Sequence, residues 1–380
     1  MSDIAIVGIG ETAALRRSDR DIRQMAMDAI LAALADAGID PSQVDGIVTE
    51  GGLMPLKVPH DFVAGQLRIE RSFDALMSQV GAGIVGSPHM AAWAIRAGLA
   101  KVVVSYFATD WGSDPAGPYA YHQRFPAKVA FELPHGFNAQ PLYFGPWMRR
   151  YMHEHGVTEE DFGRVAIQQR HNGILTGRAQ LMKPMSMADY VGMPVIADPL
   201  RVADCCVISD GAGAYVMTSA ERARDLPKPP VFVRGVGFSS RGLPDNLFTQ
   251  GDALMSIPGA AEAKKMAEKD SGIAISDANF GEVYDCFTPE YLFQIEDLGL
   301  CKRGEAAAYV KEGNTSLDGP LPLNTHGGML SYSYRLGVEH VIEAVRQLRG
   351  EAGAVQVPGA ELGFVTGVSF PDYAMLVLSK

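Results

Sequence analysis

Cysteine is scarce. The 380 residues hold four, Cys205, Cys206, Cys286 and Cys301. No two of them form a C-x-x-C pair, and no cysteine–histidine set has the spacing of a zinc site. Few, unpatterned thiols fit a reducing cytosol, so a cytoplasmic setting is expected. A basic leader is also lacking: Met1-Ser-Asp-Ile-Ala-Ile-Val-Gly-Ile-Gly10 enters a strand directly, which does not read as a signal peptide. No apolar run is long and uninterrupted enough to span a bilayer. The net charge of −11 is spread without blocks, which argues against nucleic acid or an anionic membrane as a main partner. What is present is globular. Apolar residues make up 47% and charged residues 20%, enough for a large core, and the length suits two domains.

Taken in order, Ile4–Ile9 reads as a buried strand ending at Gly8 and Gly10. Asp21 caps a helix in which Ile22, Met25, Ala26, Ala29, Ile30 and Ala33 recur at helical spacing, with Gly38 as its stop. Val44–Val48 is the next strand and Asp61–Leu67 a short helix. Leu76–Val80 leads into a glycine loop, Gly81-Ala-Gly-Ile-Val-Gly86, then a helix of small residues from Met90 to Ala97 and a strand at Val102–Tyr106. Residues 107–140 look like a lid or cap. Two helices follow, Leu142–His155 and Thr158–Thr176, then a strand–turn–strand at Cys205–Ile208, Asp210–Gly213 and Ala214–Thr218. Pro227-Lys-Pro-Pro230 is the best boundary, and Val231–Val236 begins the second half. That half runs through a helix at Gly259–Lys269, a strand at Glu282–Phe287 and a helix at Pro289–Leu298. It closes on a hairpin of Leu362–Val368 and Tyr373–Leu378 around Phe370-Pro-Asp372.

The stretch Asn324-Thr-His-Gly-Gly-Met-Leu-Ser-Tyr-Ser-Tyr-Arg-Leu-Gly-Val338 places paired glycines and two tyrosines at a strand-to-helix crossing, where α/β proteins keep their chemistry. The halves echo each other. Residues 37–48 and 271–283 are each a helix end at Gly-Ile, a turn and a strand, and a glycine-bearing loop then feeds a long helix and a strand in both. This makes a duplicated α/β unit, with an N-terminal half at 1–226 (excursion at about 107–200) and a C-terminal half at 231–380.

A duplicated α/β chain carrying Ser209-Asp-Gly-Ala-Gly-Ala214, Tyr284-Asp-Cys-Phe287 with Glu290, Glu296-Asp-Leu-Gly299 and Gly327-Gly328 through Gly337 resembles the thiolase superfamily over essentially its whole length. The segment from Tyr284 to Gly299 is most similar to the sterol-carrier-protein type of thiolase. The resemblance implies duplicated βαβ halves stacked as an α-β-α-β-α sandwich. It also exposes three departures. Gly81 stands where the family's nucleophilic cysteine is expected, Tyr284 where a histidine heads the Asp-Cys-Phe motif, and Tyr334 where a histidine sits in the C-half loop. The cysteine near the C-terminus of classical thiolases is replaced by Val365-Thr366-Gly367.

Without a thiolate at Gly81 there is no acyl-enzyme at that position. A retro-aldol cleavage needs only a base for a β-hydroxyl and donors for the thioester enolate. The pattern resembles the steroid side-chain-cleaving aldolases, thiolase relatives that lack the cysteine and use tyrosines. That implies a β-hydroxyacyl-CoA with a ring-attached tertiary hydroxyl, cleaved to a ring ketone and propionyl-CoA or acetyl-CoA. No cofactor is implied beyond the coenzyme A of the substrate. A homodimer joined by a small OB-fold partner into a heterotetramer is implied as well. By this likeness Tyr334 is the base and Tyr284 orients the substrate or protonates the enolate, with the two roles exchangeable. A tyrosine near its ordinary pKa of about 10 is a poor base, so Arg335 and His326, close in sequence, are expected to supply charge or donors beside it.

The plainer readings stand next to these. Gly81 and Gly367 are turn glycines or backbone oxyanion donors, and His326 is a surface-loop histidine or a site residue. Cys286 is a buried strand residue or, in a rival acyltransferase, the nucleophile. A third reading is a silent acyl-CoA-binding subunit. Tyr332, two residues before Tyr334, reads as structural rather than catalytic. Asp210 reads as a turn former and Asp110 as a possible pocket residue. The aromatics of 107–152, including Trp111, Tyr119, Tyr121, Phe125, Phe144 and Trp147, form a substrate wall, a partner surface or plain core.

Overall fold

A computed structural model describes residues 4–51, 56–77, 80–117, 126–241, 255–257, 259–369 and 372–380. Tyr119, Tyr121, Phe125 and the turn residues Phe370 and Pro371 lie outside these. The strands are β1 (Ile4–Glu11), β2 (Gly46–Glu50), β3 (Phe73–Met77), β4 (Val102–Asp110), β5 (Val195–Ala197), β6 (Leu200–Arg201), β7 (Asp210–Ser219), β8 (Val231–Ser239), β9 (Phe280–Glu282), β10 (Leu362–Ser369) and β11 (Asp372–Ser379). Apart from the small β5–β6 ribbon they form one mixed run, β3-β2-β4-β7-β1-β8-β11-β10-β9. The N-terminal strands meet the C-terminal ones where β1 pairs with β8, through Ala5↔Phe232 and Ile6↔Val231.

The layers follow from where the helices pack. Helix Ile22–Ala37 starts where Asp21 accepts from the Arg23 N–H at 2.8 Å, and it ends on left-handed Gly38 (φ 66°). It lies on β1, β4 and β7, and helix Ala260–Ser271 lies on β8 and β11. Helices Val80–Arg96 and Val338–Arg349 sit between the halves and touch strands of both. The order helix, sheet, helices, sheet, helix is the expected sandwich. The duplication is also written into β1 and β8, a repeat that sequence reading passed over. A Cβ at Gly8 or Gly10 would overlap the backbone of helix Ile22–Ala37, and one at Gly235 or Gly237 the backbone of helix Ala260–Ser271. These glycines let a helix lie directly on its strand, so Gly8 and Gly10 do not end β1.

Four expectations need correction. The glycine loop at 81–86 is the start of helix Val80–Arg96, buried between the N-terminal and C-terminal strands, where packing overrides the poor helix propensity of glycine. Asp210–Gly213 is no turn but the opening of β7, and Gly213 is small because Val338 and Ile342 press on it. Cys205–Ile208 forms no strand beyond a single bridge from Cys205 to Phe287. The strand foreseen at Glu282–Phe287 stops at Glu282. The Asn324 side chain explains that stop: it accepts from the Val283 N–H at 2.6 Å and donates to the Val283 carbonyl at 2.8 Å. A side chain thus replaces the ladder at Val283, and Tyr284 leaves the sheet toward the centre of the molecule.

Candidate active site

The two tyrosines singled out from sequence meet. The Tyr284 and Tyr334 hydroxyls are 3.1 Å apart. Tyr284 is set from behind by a polar chain. Its N–H donates to Thr366 Oγ1 at 3.0 Å, and its carbonyl accepts from the Gln294 amide. The Gln294 Oε1 accepts from Thr366 Oγ1 at 2.8 Å and from the Tyr373 hydroxyl at 2.9 Å. Tyr334 is set by its N–H to Ser209 Oγ (3.0 Å) and by the Trp111 ring, 4.9 Å from its own and tilted by 47°. The loop then turns through left-handed Leu336 (φ 57°) and Gly337 (φ 91°) into helix Val338–Arg349.

Gly81 lies directly under Tyr284. A Cβ there would overlap the ring, with Cδ2 at 2.7 Å and the Val368 carbonyl at 2.9 Å. Gly367 packs on the Gly81 backbone in turn, since its Cβ would lie 2.8 Å from the Gly81 carbonyl carbon. The tyrosine ring therefore fills the space that a side chain at 81 would take. Val80, just before it, holds φ 48°, a left-handed conformation that is costly for a β-branched residue and typical of constrained functional turns.

Burial pushes both phenols well above their ordinary pKa, and neighbouring groups do not reverse this. Both are neutral hydrogen-bonding groups at physiological pH. The charges expected to lower them are directed elsewhere. Arg335 is fully buried, with Nε on Ser333 Oγ (2.9 Å), Nη1 on the carbonyls of Ala212 (2.9 Å) and Thr12 (3.2 Å), and Nη2 on Glu11 (2.6 Å). His326 faces Glu282, with Nδ1 2.9 Å from its carboxylate, and packs edge-on against His340 and Tyr332. Burial and the His340 charge push its pKa down to about 3, so it is neutral. Burial also works against charge on His340, but Asp285, Glu339 and Glu282 outweigh it and raise its pKa to about 9. Both corrections share one cause: Arg335 and His326 belong to a buried ionic layer under the loop that fixes its shape. Tyr332 joins that layer, donating to Glu11 at 2.6 Å; it ends a π-helical turn, Gly328–Tyr332, so the rule for an extended strand, which would put it on the same side as Tyr334, does not apply.

That layer has a pH signature. Burial would raise the Glu11 carboxyl, but Arg335, Arg346 and the Tyr332 hydroxyl outweigh it and bring it from 4.5 down to about 2. Its stabilisation is complete above pH 4.5, the unfolded value, and is lost as pH falls from there toward 2. Glu11→Gln is expected to lower Tm at pH 6, with the gap to wild type narrowing steadily below pH 4.5. A gap independent of pH in differential scanning calorimetry would show the carboxylate charge to be irrelevant.

Two further groups flank the tyrosines. Cys286 Sγ donates to Glu290 at 2.6 Å. Burial, then the Glu290 charge, push the thiol well above its usual range, and burial raises Glu290 to about 8. Cys286 is thus a protonated thiol, unsuited to nucleophilic work. Of the cap aromatics, Tyr143, Phe144 and Trp147 are buried with Tyr284 and Phe287, and Phe144 stacks on Phe287 at 4.0 Å. They are core at the rear of the site. Asp110 does not line it but pairs with Lys57 at 2.7 Å. Glu290 and Gln294 were legible as polar groups four apart, one helical turn, flanking the apolar run Tyr291–Phe293 of helix Thr288–Asp297. Among the described residues no group of histidine, cysteine and carboxylate side chains could hold a metal ion, and no helix is long and apolar enough to cross a membrane.

Comparison with known proteins shows the family and the fold. A family profile described as "Thiolase C-terminal domain-like" matches residues 244–380. A steroid side-chain-cleaving aldolase of Thermomonospora curvata is 37% identical over 366 residues, 93% of this chain and 92% of that protein. A 17-hydroxy-3-oxo-4-pregnene-20-carboxyl-CoA lyase of Mycobacterium tuberculosis is 34% identical over 385 residues, 98% of each. A solved structure described as an Ltp2-ChsH2(DUF35) aldolase superposes with a TM-score of 0.91 at 36% identity, covering 100% of this chain and 98% of that one.

Proposed function

The chain belongs to the family of steroid side-chain-cleaving aldolases within the thiolase superfamily, and from that membership we propose that it cleaves a β-hydroxyacyl-CoA with a ring-attached tertiary hydroxyl. The products are a ring ketone and a shorter acyl-CoA, propionyl-CoA or acetyl-CoA. The observation that carries the chemistry is the phenol pair, 3.1 Å apart, with its ring packed where a thiol would otherwise project from position 81.

Tyr334 faces the substrate hydroxyl, because it is half-buried while Tyr284 is only 2% exposed. The carbinol O–H proton passes to the Tyr334 oxygen as Tyr334 hands its own proton to Tyr284. The O–H electrons form the ketone C=O, and the Cα–Cβ bond breaks onto the thioester as an enolate. Tyr284 gives its own proton to Cα in the same concerted shift, so it never holds two, and both phenols end as they began. A concerted relay suits two phenols held neutral by burial, since no free phenolate has to form. The start of helix Val80–Arg96 at Gly81, with Gly367 against it, is the favoured place for the enolate oxygen, because helix N-termini favour negative charge. No cofactor takes part beyond the coenzyme A of the substrate. Arg335 and His326 hold the loop and do not touch the reacting atoms.

The assembly we favour is a homodimer through β3, the outer strand of the sheet, on which Leu76 is 45% exposed. A small OB-fold partner then completes the acyl-CoA site as a heterotetramer, which the two-part description of the Ltp2-ChsH2(DUF35) aldolase supports. Four free cysteines support a cytoplasmic setting.

The test is product identification. Incubation with a steroid-like tertiary-carbinol acyl-CoA should yield equimolar ring ketone and shortened acyl-CoA by mass spectrometry. Prior treatment with iodoacetamide near neutral pH should leave the rate unchanged, since the Cys206 and Cys286 thiols are pushed well above their usual range by burial. Inactivation that substrate prevents would favour a cysteine acyltransferase instead, and binding without turnover a silent subunit.

A further inference from the structure

We propose that Trp111 reads the ring-bearing end of the substrate and thereby selects bulky cyclic carbinols over small acyclic ones. This rests on the aldolase reading and adds a specificity residue to it. Two neighbouring residues at the entry to β7 control the arrangement. Ser209 holds the Tyr334 backbone through the 3.0 Å bond already described. Asp210, beside it, holds the turn that carries Trp111: Oδ1 accepts from the N–H of Gly112 (2.7 Å) and of Ser113 (3.3 Å). Its Oδ2 accepts from the Ser18 N–H at 2.7 Å, binding a second loop to the same carboxylate. Lys57 closes the turn from outside by pairing with both Asp110 (2.7 Å) and Asp114 (2.5 Å). Gly112 fits only because it lacks a side chain, since a Cβ there would overlap the Arg16 carbonyl. The turn that carries the indole is therefore held from both sides, and the ring leans on Tyr334.

Its position decides what it can touch. A hydroxyl that gives its proton to Tyr334 must sit about 2.6–3.2 Å from the phenol oxygen. The carbon bearing it, and the ring atoms on that carbon, then fall beside whatever packs on the Tyr334 ring. On one side that is Tyr284, whose hydroxyl is taken up in the pair. On the ring itself it is the half-buried Trp111 indole, 4.9 Å centroid to centroid. A flat, rigid aromatic surface of this kind gains contact area from a fused ring system and almost none from a pair of methyl groups. Asp210 is in this view a positioning residue, and Trp111 is the group in contact with the substrate.

Trp111→Ala and Trp111→Phe, in the full chain with its co-purified partner, test the proposal on two substrates. One is a steroid-like ring carbinol acyl-CoA. The other is 3-hydroxy-3-methylbutanoyl-CoA, whose cleavage gives acetone and acetyl-CoA. Trp111→Ala should lower kcat/KM for the ring substrate roughly 10- to 100-fold, the scale of pocket-contact discrimination, with less than about threefold change for the acyclic one. Trp111→Phe should restore most of the difference. Equal losses on both substrates would mean that Trp111 merely props Tyr334, and no loss on either that it is irrelevant; each overturns the proposal. If the wild-type chain cleaves neither, the aldolase reading has failed, and affinity for the ring-ketone product by calorimetry decides the present one. Weakening in Trp111→Ala with unchanged melting temperature supports it, and unchanged affinity overturns it.

Discussion

Tyr334→Phe should abolish turnover while leaving the acyl-CoA bound. The variant removes one oxygen from a pair 3.1 Å apart and nothing else, because the ring keeps its contact with Trp111 and the backbone its bond to Ser209. A positioned acid–base group contributes roughly 10²–10⁴-fold, so kcat should fall by about that factor with KM nearly constant. Folding should change little, since a single neutral hydrogen bond is worth only about 1 kcal/mol. The relay adds two sharper expectations. Tyr284→Phe should cost a similar factor, and the double variant should be no slower than either single one, because residues that act as a unit lose their function together. The pH profile separates relay from phenolate. A phenolate base would make kcat climb tenfold per pH unit toward high pH, as more of it ionised. Two phenols raised by burial and working in concert give a flat profile across the neutral range. Substantial cleavage by Tyr334→Phe would refute the assignment of the proton acceptor.

The sequence exposes the periodic parts of this fold and hides what depends on contact between distant segments. Helices Ile22–Ala37 and Glu159–Thr176 are legible because capping and helical spacing are local: Asp21 and Gly38 bound the first, and the Thr158–Asp161 capping box opens the second. The early end of β9 is not, because it is imposed by Asn324, 41 residues away. The run at Gly81 misleads in the same way, since glycine reads locally as a loop but here admits a buried helix beneath a tyrosine ring. The site was half visible. Tyr284 and Tyr334 stood out by occupying the positions of two histidines, yet only the fold brings their oxygens together. Proximity in sequence placed Arg335 beside Tyr334, but the guanidinium turns to Glu11, 324 residues away along the chain, a contact that no local pattern reveals.

Gly81→Cys should destroy the aldolase without creating a thiolase. The new Cβ would overlap the Tyr284 ring and approach the Val368 carbonyl at 2.9 Å. The ring cannot simply move aside, since the Tyr284 backbone is held by Thr366 and Gln294. It has to rotate, and rotation breaks the phenol pair. A displacement near 1 Å costs about 10²-fold in rate, and overpacking costs about 1–3 kcal/mol of stability, so activity should collapse while the protein still folds with a lowered Tm. The introduced thiol would also lack the histidines that activate cysteine in thiolases, because positions 284 and 334 are both tyrosine. Intact-mass analysis after incubation with acetyl-CoA should therefore show no acetyl group on residue 81. The double variant Gly81→Cys/Tyr284→His separates sterics from chemistry. The smaller ring relieves the overlap at residue 284 but leaves the approach to the Val368 carbonyl, so Tm should recover in part, yet cleavage should stay absent because one partner of the relay is gone. Retained cleavage in the single variant would mean that the ring at 284 need not occupy this place, and glycine at 81 would lose its explanation. The expected pair of results makes glycine at 81 and tyrosine at 284 a coupled exchange: tyrosine can fill the histidine position only where the cysteine side chain is gone.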